Sequence, residues 1–145
     1  MFRHILIPTD GSDLSRKAML YGIQLAKATG AKVTVLTVRP RNTVTSMDVI
    51  GVVASQAEFD EEGRLFAENV LTQAEIAAEA AGVPIETLHE VHEQPFQAII
   101  ASGIAFRCDL ILMASHGRSA AAALLLGSET TKVLSHSLIP VLVYR

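Results

Sequence analysis

Apolar residues fall along the chain in two rhythms. Four short runs are almost continuously apolar or β-branched: HILIPT at 4–9, KVTVLTV at 32–38, DLILMA at 109–114 and PVLVYR at 140–145. Runs of this kind fit strands of a parallel sheet covered on both faces. A fifth run, IETLHEV at 85–91, alternates with charge, as an edge strand does when it is guarded against stray pairing. Between the runs the apolar period lengthens to that of a helix. Residues 12–29 place Leu14, Ala18, Tyr21, Leu25 and Ala28 at helical spacing, with Ser12 or Asp13 to cap the start and Gly30 to end it. Residues 56–81 align Phe59, Phe66, Val70, Ala74, Ala77 and Ala81 ahead of Gly82 and Pro84. Shorter helices are predicted over 96–106 and 128–137.

Strand and helix alternate from end to end. That order predicts an α/β fold, an open parallel sheet with helices on both faces, in one domain over residues 1–145. The connection 39–54 is long for such a fold. Its Val49, Ile50, Val52 and Val53 suit a cover over an apolar surface or a part of an interface.

Composition narrows the function classes. A chain of 145 residues buries roughly two thirds of its unfolded surface, enough for a real core. The net charge of −3 and the scattered Lys and Arg residues leave no basic patch, which argues against nucleic acid and an anionic membrane as partners. No apolar run reaches the length of a membrane span. The start, MFRHILIPTD, is too short in apolar residues for a signal peptide, and Cys108 has no second cysteine to pair with. A cytoplasmic location is expected, with Cys108 a small buried or half-buried hydrophobe.

Two stretches carry candidate chemistry. Ligands of open α/β sheets bind beyond the carboxyl ends of the strands, where the strand order reverses. IPTDGS at 7–12 ends the first strand there, and Asp10 suits a base, a ribose hydroxyl or a metal-bound water. The same residues also suit a plain turn, with Ser12 as helix cap. MASHGRSAAAALLLGSETTKV at 113–133 is the second stretch. Gly117 allows a tight turn and a close approach of backbone to ligand, and Gly127-Ser128 opens the last helix, where free N–H groups attract phosphate. Ser128 and Arg118 could each bond a phosphate oxygen. The Ala/Leu run at 120–126 equally suits an ordinary helix packed in the core, with Ser128 its cap.

With these motifs the whole chain resembles the universal stress protein family. ILIPTDGS looks like the family's first strand and turn, IPVLVYR like its last strand, and ASHGRSAAAALLLGS like its nucleotide motif of Gly-x-x-Gly, nine residues, then Gly-Ser or Gly-Thr. The resemblance implies a three-layer, five-stranded sheet of order 3-2-1-4-5, similar to adenine nucleotide alpha hydrolases. It also implies a homodimer that binds an adenine nucleotide, ATP or AMP, with or without magnesium, in a stress-response or signalling role. Pro8, Thr9 and Asp10 would lie beside ribose and base, with Val38 against the adenine. Met113, Ala114, Ser115, His116, Gly117, Arg118 and Ser119 would wrap the ribose and phosphates. Gly127, Ser128 and Glu129 would complete the phosphate site through backbone N–H groups and the Ser128 hydroxyl. Ala114 departs from the motif's first glycine. A negative φ is expected there, because a strand is only just ending, and alanine then adds one methyl group and little strain. Glu93 departs from a glycine common in the family two residues before the proline.

In the implied strand order the last strand is an edge. Its apolar Val141, Leu142 and Val143 predict a homodimer through residues 140–145, with the Leu142 amide as a bridging donor. His89 and His92 have no cysteine or carboxylate placed to complete a metal site, and His4 and His136 look incidental. No nucleophile elbow, Walker lysine or water-activating base stands out, so at most slow hydrolysis is expected. Two rivals are a nucleotide-free dimeric scaffold of the same fold and an ATP pyrophosphatase-like enzyme. The surviving Gly117 and Gly127-Ser128 spacing opposes the first, and the absence of a Ser-Gly-Gly loop after strand 1 opposes the second. A receiver domain would need an aspartate at the end of strand 3, which the chain lacks.

Overall fold

The computed structural model describes residues 1–41, 51–118 and 125–145, and of residues 51–55 the backbone alone. Its elements run β1 (His4–Pro8), α1 (Asp13–Thr29), β2 (Lys32–Arg39), α2 (Gly51–Ala81), β3 (Ile85–Val91), α3 (Pro95–Ala105), β4 (Leu110–Ala114), α4 (Ser128–His136) and β5 (Val141–Tyr144). The strands form one five-stranded sheet of order β3-β2-β1-β4-β5, and every pair is parallel. The central strands are buried on both sides, which is why they read as unbroken apolar runs.

Alternation along each strand divides the core in two. Ile5, Ile7, Val33, Val35, Leu110 and Leu112 join Ala18, Met19, Ile23 and Ala26 of α1 and Leu71, Ala74 and Ala78 of α2. Leu6, Leu36, Ile111 and Met113 face the other way, with Ile99 of α3 and Val133 of α4. The sheet therefore has a helical layer on each face.

Both predicted glycine stops are present, Gly30 and Gly82 at φ 71°. Ser12 caps α1 by accepting from the Ser15 amide. The buried stripe of α1 is shifted from the predicted one: Ser15, Ala18, Met19, Gly22, Ile23 and Ala26 face the sheet, and Tyr21 is exposed. Small residues set that face, because they let the helix approach closely. The helix α2 starts at Gly51 rather than 56, so the connection 39–54 is shorter than expected. No proline interrupts 51–55 to stop the helix. Val49 and Ile50, and the side chains of Val52 and Val53, lie outside the described residues.

His4 is not incidental. It is buried, and its Nε2 lies 2.7 Å from Thr34 Oγ1. Cys108 is buried as expected; burial, reinforced by Asp109, pushes its thiol up to about 11. No described helix is long and apolar enough to cross a membrane.

β5 is an edge strand, half-buried along its length. The carbonyls of Pro140 and Tyr144 accept from the Ile111 and Ser115 amides on the β4 side. Residues of this parity, Leu142 included, turn their backbone groups to β4. The bridging donor proposed at Leu142 is therefore spent inside the sheet. Val141 and Val143 present theirs to the open edge.

Candidate functional site

A cleft of about 1000 Å³ opens over the carboxyl ends of β1, β2 and β4, with the first turn of α4 on one side and α2 on the other. That volume is at the upper end of the usual range for small-molecule sites. The order of the sheet reverses between β1 and β4, the place where such folds bind ligands.

The β1–α1 turn forms the floor. Pro8 and Thr9 are buried, and Thr9 N donates to Leu36 O, which ties the turn to β2. Asp10 is the junction of two loops. Its Oδ1 accepts from the Ser12 amide at 3.0 Å and its Oδ2 from the Arg118 amide at 2.9 Å. Burial works against its charge, but hydrogen bonds from Ser12, Ser15 and Arg118 outweigh it and hold the carboxyl below its ordinary pKa. Both readings of IPTDGS are thus realised in part: Asp10 and Ser12 make the turn and cap, and Asp10 still lines the cleft. Gly11 stands at φ 78° against Phe66 and Val70, a position with no room for a side chain.

The second motif forms the far wall. Ala114 ends β4 with its φ outside the left-handed region, as expected, and its methyl joins the core on the α1 face. Thr130 Oγ1 donates to Ala114 O at 2.9 Å, and Gly127 N to Ser115 O at 2.7 Å. These bonds bring the start of α4 against the end of β4. Gly127 is the N-cap of α4, at φ −62°, and offers no side-chain cap. The amides of Ser128, Glu129 and Thr130 therefore have no acceptor within the helix, and these residues line the cleft. Such an end attracts an anion. The question left open by the Ala/Leu run is answered in part. Leu125, Leu126 and Gly127 are not helical, and α4 begins only at Ser128.

Twelve of the fourteen candidate residues border this one cleft: Pro8, Thr9, Asp10, Val38, Met113, Ala114, His116, Gly117, Arg118, Gly127, Ser128 and Glu129. Ser115 is buried behind it, its amide donating to Tyr144 O. Ser119 lies outside the described residues. The Arg118 guanidinium stacks 4.0 Å over the Phe66 ring of α2. The Glu129 carboxylate is turned aside. It accepts from Phe96 N at 2.8 Å, where Gln94 gives α3 no side-chain cap, and from Lys132 at 3.3 Å.

The sequence did not reveal the α2 wall. Phe59, Glu62, Gly63 and Phe66 line the cleft together with Thr37 and Arg39 of β2. The two phenylalanines, aligned by helical spacing with Val70, Ala74, Ala77 and Ala81, are both exposed, Phe66 by 43%. Thr37 Oγ1 is buried with no hydrogen-bond partner among the described residues. The fold alone brings these residues together, since α2 lies far from either motif along the chain. Among the described residues no group of three or more His, Cys, Asp or Glu could hold a metal.

The universal stress protein family model matches residues 1–145. Universal stress protein YxiE of Bacillus subtilis is 32% identical over 149 residues that span the whole of both chains. Among solved structures, the hypothetical protein MJ0577 is similar at a TM-score of 0.82 and 26% identity, over 99% of this chain and 96% of that one. A universal stress protein in complex with cAMP is similar at a TM-score of 0.72 and 27% identity, over 99% and 97%. The chain belongs to the universal stress protein family.

Proposed function

We propose that residues 1–145 form one domain that binds an adenine nucleotide, ATP or AMP, with or without magnesium, in this cleft. It acts as a homodimeric stress-response or signalling component of the cytoplasm. The observation that carries the reading is the meeting of the uncapped α4 N-terminus with the Asp10–Arg118 junction at the reversal of strand order. The first offers amides to phosphate. The second offers a carboxylate, held in its charged form, to ribose hydroxyls. Val38 supplies apolar surface for a base at the end of β2. The similar structure that contains cAMP supports a nucleotide of this class.

Slow hydrolysis at most is expected of Asp10 as a base, because the hydrogen bonds from Ser12 and Arg118 that hold it in its charged form make it a poor proton acceptor for an attacking water. Binding should also stabilise the fold. Ligand at about a hundred times its Kd contributes about 2.7 kcal/mol. In a domain of this size that is roughly 5–10 °C in Tm by differential scanning fluorimetry. An unchanged Tm at millimolar ATP with magnesium would favour the nucleotide-free scaffold.

The homodimer rests on the open edge of β5. A partner pairing there would use the amides of Val141 and Val143. Val143→Pro removes one of these donors and spares the bonds to β4. The expected result is a folded monomer by light scattering at micromolar concentration. A dimeric Val143→Pro variant would place the interface elsewhere, and a folded wild-type monomer would exclude the dimer.

A further inference from the structure

A second polar assembly lies behind the cleft, between the sheet edge and α2. Arg39, the last residue of β2, donates from Nε to His89 Nε2 of β3 at 2.9 Å. Its Nη1 donates to Asp60 O of α2 at 3.1 Å. The same side chain lies across Gly63, where an added Cβ would come within 3.2 Å of Arg39 Cδ and Cζ. Glycine inside a long helix costs about 1 kcal/mol against alanine, and this close passage of Arg39 accounts for it. One side chain from the sheet thus pins α2 at two points less than a turn apart. Arg39, Gly63 and Phe66 all line the cleft, so the pinned stretch of helix is its wall.

The Arg39 side chain is steered by His89. An acceptor role at Nε2 requires the neutral ring with its proton on Nδ1. Protonation would turn the acceptor into a donor beside a guanidinium, exchanging a hydrogen bond for repulsion. The charged groups facing His89 are Arg39 on β2 and Arg64 and Glu68 on α2. Glu68 favours the imidazolium but is already paired with Arg64. Burial first, and then Arg39, lowers the His89 pKa below its ordinary value.

We propose that His89 is a positioning residue for the nucleotide cleft: as a neutral acceptor it holds Arg39 against α2, and its protonation loosens that wall and weakens nucleotide binding. The proposal rests on the reading that the cleft takes an adenine nucleotide. Its sign follows from linkage. Binding is strongest with the ring neutral, and affinity falls as pH drops below the ordinary histidine range.

Calorimetric titration of ATP into the wild type and His89→Gln between pH 7.5 and 5.0 is the test. Glutamine keeps an acceptor but does not titrate. Protonation of the phosphates is common to both proteins and cancels in the comparison. The wild type should lose at least about threefold more affinity than His89→Gln on acidification, the equivalent of about half a pKa unit in coupling. Parallel losses in the two proteins would overturn the proposal. Absence of ATP binding by the wild type at pH 7.5 would refute the nucleotide reading itself and the proposal with it. Should His89→Gln fail to fold, nitrogen NMR of the wild-type ring decides. The Nδ1–H tautomer should be present at pH 7.5, and the Arg39 Nε–H signal should titrate together with the ring. Independent titration would overturn the proposal.

Discussion

Gly127→Val should weaken nucleotide binding by at least about a hundredfold and leave the sheet intact. A hundredfold is about 2.8 kcal/mol, the scale of a lost phosphate contact together with local strain. The argument is one of space, since Gly127 has an ordinary φ of −62°. A Cβ there would stand 3.1 Å from His116 Cα and 3.4 Å from Ser115 O, both backbone atoms. Valine adds two further carbons, at the place where Gly127 N bonds Ser115 O. The first turn of α4 must move away from the end of β4, and its amides move with it. Gly127 belongs to neither of the two apolar core clusters. Calorimetry with ATP checks the affinity, and circular dichroism the fold. Unchanged affinity in a folded variant would mean that the α4 terminus does not hold the ligand.

Gly117→Ala should cost less, about 1.5–3 kcal/mol of binding at most, the range for loss of a hydrogen bond to a charged group. The new methyl group would fall against the Asp10 carboxylate, with Cγ at 3.3 Å. Asp10 is short and held by the Ser12 and Arg118 amides, so it cannot turn away without giving up at least one of them. The Arg118 loop would then separate from the β1–α1 turn. Both the Kd for ATP and the Tm of the free protein should worsen. A variant unchanged in both would show that the Asp10–Arg118 junction carries neither binding nor stability.

The sheet was legible because its central strands are buried on both faces and so appear as continuous apolar runs. The start of α4 was legible because Gly127 and Ser128 belong to a contiguous motif whose spacing follows from a turn and a helix start. Other parts were hidden for physical reasons. Ser15 and Gly22 face the core of α1, yet neither registers in a hydrophobic pattern. Phe59 and Phe66 obey helical periodicity, which does not distinguish a face turned to the core from one turned to a cleft. Arg39 and His89 lie on strands paired by the fold, and no local spacing announces their contact. The direction of the Leu142 amide depends on the register of β4 with β5, which composition does not set.

The central claim is that an adenine nucleotide occupies the cleft over β1, β2 and β4. Titrating ATP into isotope-labelled protein and following the backbone amides by NMR tests it most directly. Saturable shifts are expected, concentrated at Thr9–Ser12, Thr37–Arg39, Ser115–Arg118 and Gly127–Thr130. Saturable shifts at other residues, or none at millimolar ATP, would contradict it.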